Sequence, residues 1–161
     1  MKMKADMSGG ERYAWATLIA TGVVGLQFYD RMFDGFSIAE LGAGDLIGVY
    51  LRIIIMFIIL HIVIAIVFAV KRSKTSDDND VFERDERDNA IERKGERAGF
   101  WVLAIFVEIA IFMLLFENAY PERYDPLISV TSTSGMFFIL MSAVLLADFI
   151  SRAVMIKAYR S

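Results

Sequence analysis

The chain is 161 residues long, 57% apolar and 13% aromatic, with a mean hydropathy of +0.50; its apolar share exceeds the about 45–50% usual in soluble domains. Without cysteine it can hold no disulfide framework, thiolate metal site or thiol redox pair, and a net charge of −3 gives no reason to expect nucleic acid as a partner. Charge gathers at the two ends and between Lys71 and Arg97, so polar and apolar segments alternate.

Four apolar segments approach or exceed the about 20 helical residues that a hydrocarbon core requires. Residues 1–12 read as a cytoplasmic N-terminus, 13–29 as a first span, 30–45 as an outer loop and 46–70 as a second span. Residues 71–99 follow as a charged cytoplasmic loop with a helical extension, 100–118 as a third span, 119–126 as an outer turn, 127–151 as a fourth span and 152–161 as a cytoplasmic tail. The expected fold is all-α, an integral membrane bundle of four transmembrane helices. Lys2, Lys4 and Arg12 would suit a signal peptide, but no small-x-small cleavage site follows, so a retained helix is expected. Basic residues precede span one, crowd between spans two and three, and close the chain at Arg152, Lys157 and Arg160, while the outer connections carry Arg31 and Arg123. The positive-inside rule then puts both termini and the middle loop in the cytoplasm.

In the first outer connection, "DRMFDGFSIAELGAGD" (30–45) reads as a short interfacial helix or turn with Phe33, Phe36, Ile38 and Leu41 toward lipid. In the second, Tyr120 and Tyr124 suit the headgroup level and Pro126 the first turn of span four. On the inner side "KRSKTSDDND" (71–80) reads as a polar linker, and "VFERDERDNAIERKGERAGF" (81–100) as a charged helix running into span three. Glu83 with Arg87 and Arg84 with Asp88 stand four apart, each pair worth about 0.2–0.5 kcal/mol. Such a helix is either a solvated extension or, through 81–99, a surface for a cytoplasmic partner. The "DERD" of Asp85 to Asp88, followed by Ile91, Lys94, Gly95 and Gly99 and then an apolar helix, resembles a DERD-x-x-I pattern in small multi-span prokaryotic membrane proteins of a family of unknown function. The resemblance runs from Asp85 to Phe116; it implies a prokaryotic membrane protein and supplies no activity, and the inner (cytoplasmic) membrane is the expected location.

His61 is the chain's one histidine and sits in the apolar run "IIIMFIILHIVIAIVF". Counted from Lys71 and from Gly99, His61 and Glu108 come out about 15 and 14 Å deep, so they are expected to form an intramembrane polar pair. Such a pair either relays protons or binds a cation, or pins two helices through one hydrogen bond between neutral partners. Arg52 and Glu117 form a second possible cross-helix pair, although Arg52 can also snorkel to headgroups. Asp148 and Arg152 stand four apart on one helix face and read as a local pair, with Asp148 a candidate for a cytoplasmic vestibule.

Thr17, Thr21 and Gly25 repeat every four residues, a small-xxx-small seam that allows close helix approach, and Thr131, Ser134 and Ser142 with Phe138 mark a second seam on span four. One histidine excludes a bis-histidine haem; without Cys or a second His, zinc lacks its usual ligands. No G-x-S-x-G elbow, P-loop or dinucleotide fingerprint occurs. Neither an enzyme nor a cofactor or metal site is expected. The reading that follows is a non-enzymatic membrane protein, a homo-oligomer or accessory subunit, packing laterally through these seams among lipid and membrane-protein partners. The alternative is a small proton or cation transporter using Glu108 and His61 at the midplane.

Overall fold

The structure, a computed structural model, describes residues 7–75, 86–122 and 126–161, with the backbone alone at 71–75. Lys2, Lys4, the linker and charged segment at 76–85, Arg123 and Tyr124 lie outside the described residues. Four helices carry the fold: α1 (Gly9–Met32), α2 (Ala43–Thr75), α3 (Glu86–Ala119) and α4 (Thr133–Tyr159). Three of them, at Ala43–Val70, Glu86–Ala119 and Thr133–Tyr159, are long and apolar enough to cross a membrane.

Local chemistry sets the ends of these helices. The S-x-x-E sequence from Ser8 to Glu11 starts α1 at Gly9, with the Glu11 N–H donating to Ser8 Oγ at 3.1 Å. The outer loop, expected to hold a short interfacial helix or turn, holds the turn, a hairpin with β1 (Phe33–Asp34) antiparallel to β2 (Ser37–Ile38). Gly35 drives it: it is the first of the two loop residues, Gly35 and Phe36, and takes φ +65°, as that position of a primed hairpin turn requires. α2 runs past Val70 to Thr75, because neither Gly nor Pro interrupts it there. α4 begins six residues after the expected start at 127. Its N-cap is Ser132, whose Oγ accepts the Gly135 N–H at 3.0 Å, and Pro126 belongs to the preceding loop.

The helices pack in the spatial order α2, α1, α4, α3, with α2 and α3 on opposite flanks and little contact from α2 to anything but α1. Neighbours run antiparallel, which side-chain meetings fix at several heights. The Glu11 carboxylate meets the Arg160 guanidinium at 2.8 Å, Thr21 meets Asp148, and the Phe28 ring stacks on Phe138 with centroids 5.7 Å apart. Tyr13 meets Phe68 edge to face across α1 and α2, at 5.5 Å. Direction thus alternates along the chain, and one end of the layer holds Met7 and Ser161, the ends of the described chain, while the other holds the hairpin.

Two apolar clusters divide the interior. At the hairpin end Val24, Phe28, Met32, Leu46, Ile53 and Phe138 are buried together. At the terminal end Ala14 of α1, Ile91 of α3 and Met155 and Ile156 of α4 form a second cluster. Part of the charged stretch of α3 therefore serves the core: Ile91 and Gly95 lie buried against the last turns of α4, while Glu86, Arg87, Arg93, Lys94 and Glu96 face outward.

Except at Thr131, both small-residue seams lie buried inside the chain. Thr17, Thr21 and Gly25 are buried, with Thr21 against α4, as are Ser134 and Ser142; Thr131 is exposed. A third seam is the tightest. A Cβ on Gly95 would stand 2.8 Å from the Ser151 carbonyl oxygen, and one on Gly99 3.0 Å from that of Ala147. This G-x-x-x-G face lets the α3 and α4 backbones approach to a distance that side chains would forbid.

Candidate functional site: the polar layer between α1 and α4

Between the two apolar clusters lies a layer of polar side chains. The Thr21 hydroxyl, near the middle of α1, donates to Asp148 Oδ2 at 2.5 Å. The other carboxylate oxygen, Oδ1, lies 3.3 Å from Arg152 Nη2, one turn along α4. With side chains 20% and 23% exposed respectively, Asp148 and Arg152 are screened from solvent enough for each charge to need the other. One turn below Thr21, Thr17 donates to its own helix carbonyl at Tyr13, at 3.0 Å. Arg152 Nε and the hydroxyl of Ser142 are buried without a hydrogen-bond partner among the described residues.

A second polar group closes the terminal end. Glu11 accepts from Arg160 Nε at 2.8 Å, and the same guanidinium lies over the Trp15 ring, 5.4 Å from its centroid. At the hairpin end Ser134 ties α4 to the loop before α2, accepting the Leu41 N–H at 2.9 Å and donating to the Leu41 carbonyl at 3.3 Å.

Glu117 fastens the segment before α4. It accepts from the Ser129 hydroxyl, from the Val130 N–H at 2.9 Å and from the Thr131 hydroxyl at 3.0 Å. Thr131 thus serves this loop and no helix seam. The expected pairing of Glu117 with Arg52 does not form, because Arg52 sits on the far flank, exposed on α2.

His61 and Glu108 are not brought together. The Nδ1 of His61 lies 2.9 Å from the Phe57 carbonyl oxygen and the two rings stack at 4.1 Å. A carbonyl can only accept, so Nδ1 carries the proton and Nε2 is left buried with no donor. Glu108 lies exposed on α3, without a hydrogen bond or ion pair among the described residues. The two also differ in height. Through the Tyr13–Phe68 and Thr21–Asp148 meetings, His61 is level with Gly99, and Glu108 is about 14 Å nearer the hairpin end. Lys71 and Gly99 therefore do not mark one edge, since the charged residues before Gly99 stay beside α4.

What the layer can do follows from its partners. A carboxylate, a guanidinium and hydroxyls at hydrogen-bond distance hold α1 to α4 in one register. No group of three or more His, Asp or Glu side chains able to hold a metal ion occurs among the described residues. The depression at the hairpin end of α4, about 440 Å³, is lined by Val130 to Thr133 with Met136, Phe137 and Leu140, none of them ionisable. Comparisons with family models, curated proteins and solved structures find no match to this chain.

Proposed function

We propose that the chain is a four-span membrane protein with both termini cytoplasmic, acting without catalysis through lateral association with copies of itself or as an accessory subunit. α1 supports the fourth span: it lies along α4 from Glu11 beside Arg160 to Phe28 beside Phe138, at the same heights as a helix long and apolar enough to cross. The DERD-x-x-I resemblance implies a prokaryotic membrane protein, and the inner membrane is the proposed location.

The observation that carries association is Glu108. It stands midway in the apolar stretch from Phe100 to Phe116, on the outside of the chain, without a partner among the described residues. A carboxylate at such depth costs about 2.5–3.5 kcal/mol on insertion scales, and such groups almost always face a protein interior or a wetted cavity. A neighbouring protein over α3 supplies that interior. The small-residue seams offer little to a neighbour, since all their residues but Thr131 are buried within the chain. The transport alternative drew on a meeting of His61 with Glu108 that this helix order does not make. Crosslinking in native membranes, with sizing in mild detergent, tests the reading. The parent should be captured with neighbours and Glu108→Leu should be captured less; a parent that stays alone under both conditions overturns it.

A further inference from the structure

Arg52 on α2 and Glu108 on α3 carry opposite charge, are both exposed and both lack a partner among the described residues. They also stand at one height. The Tyr50 ring meets the Phe137 ring of α4, with centroids 6.4 Å apart, and Ala147, ten residues further along α4, backs onto Gly99. Ten residues along antiparallel α3 from Gly99 is Ile109, so Arg52 and Glu108 are level within about one turn, about 5 Å. They occupy the two opposite flanks of the layer, and so cannot meet within one chain.

We infer that the partner at Glu108 is a second copy of this chain, whose α2 flank sets Arg52 against it. This rests on the association reading above and names its occupant. Two copies inserted the same way would lay α2 of one antiparallel to α3 of the other, and the exposed residues then fall into step. On α2 Arg52, Ile55 and Ile59 are spaced three and four; on α3 Glu108, Ile105 and Trp101 are spaced three and four in the opposite direction, all six exposed. These are the spacings of a helix-packing seam. Opposing them puts the guanidinium on the carboxylate, Ile55 on Ile105 and Ile59 on Trp101. Lipid tails would cover the four apolar residues equally well, but leave both charges unpaired. Because the two faces differ, the contact is head-to-tail, and it closes into a ring when the rotation between copies allows.

The chain has no cysteine, so introduced thiols report without background. Ile55→Cys with Ile105→Cys, oxidised in native membranes, should give a ladder at multiples of the chain mass, since α2 and α3 lie on opposite flanks. Arg52→Glu and Glu108→Arg should each weaken the ladder by about tenfold or more, and the two together should restore it. An intact Tyr13→Cys with Phe68→Cys crosslink within the chain reports that each variant is folded. A parent captured only with other proteins, weakened by Glu108→Leu and indifferent to Arg52→Glu, overturns the second copy and leaves association standing. A parent with no neighbour at all overturns both.

Discussion

Thr21 donates to Asp148 across 2.5 Å, joining residues 127 positions apart at the middle of α1 and the C-terminal half of α4. The bond matters less for its own energy than for what it keeps in place. Asp148 also balances Arg152. Interhelical hydrogen bonds in membranes average about 0.6 kcal/mol and reach about 1.7, so Thr21→Val should lower stability by about 1 kcal/mol. Asp148→Ala should cost more, about 2–3 kcal/mol, because it strands the guanidinium. Removing Arg152 as well should return part of the loss. Thermal unfolding of the three variants in detergent checks the order; a Thr21→Val variant less stable than Asp148→Ala contradicts it.

The α3–α4 contact predicts a second order. A methyl group on Gly95 would press on the Ser151 carbonyl and on Met155, and one on Gly99 on the Ala147 carbonyl. Backbone atoms cannot turn aside as a side chain can, so each alanine should cost about 1–3 kcal/mol, the range for overpacking. Gly95→Ala should be the worse, as its closest approaches are shorter. Gly25→Ala on α1 is the control, since nothing lies within 4 Å of its added Cβ. Equal loss at Gly25 and Gly95 would contradict the close approach.

Some of this was legible in the residues and some was not, for physical reasons. Apolar runs of helical length announced α2, α3 and α4, and the hydroxyl spacing on α1 marked a packed face. Spacing defines a face without naming what lies on it; Thr17, Thr21 and Gly25 could as well have met a second copy. The G-x-x-x-G of Gly95 and Gly99 was present too, hidden among charges that suggested solvent. The hairpin had its own signal in Gly35, set among aromatic neighbours that suit an interface. Height was the least legible property. A lysine marks where chemistry changes along one helix, while level between helices is set by packing, so His61 and Glu108 were matched to an edge they do not share.

Glu117 gathers three donors from Ser129, Val130 and Thr131. These bonds fix the loop that delivers the chain to the Ser132 cap. Hydrogen bonds to a charged acceptor are worth about 1.5–3 kcal/mol, although the exposure of Thr131 reduces its share. Glu117→Ala should free this segment while leaving the α3–α4 glycine contact in place. The expected readout is faster labelling of a thiol placed at Ile128, half-buried in the same segment, with little change at one placed at Ser151. Unchanged labelling at residue 128 would mean the carboxylate does not hold the loop.

The alternation of helix direction makes the last prediction. Glu11 and Arg160 form an ion pair that binds the start of α1 to the end of α4, so both ends of the described chain share one face of the layer. Phe36, in the hairpin, lies at the other end and is exposed. Thiols placed at Ser8 and Ser161 should therefore react with an impermeant reagent only from the cytoplasmic side, and a thiol at Phe36 only from the opposite side. The basic residues predict which side is which, since Lys94, Arg97, Arg152 and Lys157 all lie toward the termini. Glu11→Ala should leave that topology unchanged, because the pair is partly exposed, with Arg160 58% accessible, and exposed pairs contribute little. If α1 lay along the membrane surface instead, Ser8 and Phe36 would be labelled from one side. That result would reduce the four spans to three and put the two ends of the chain on opposite faces.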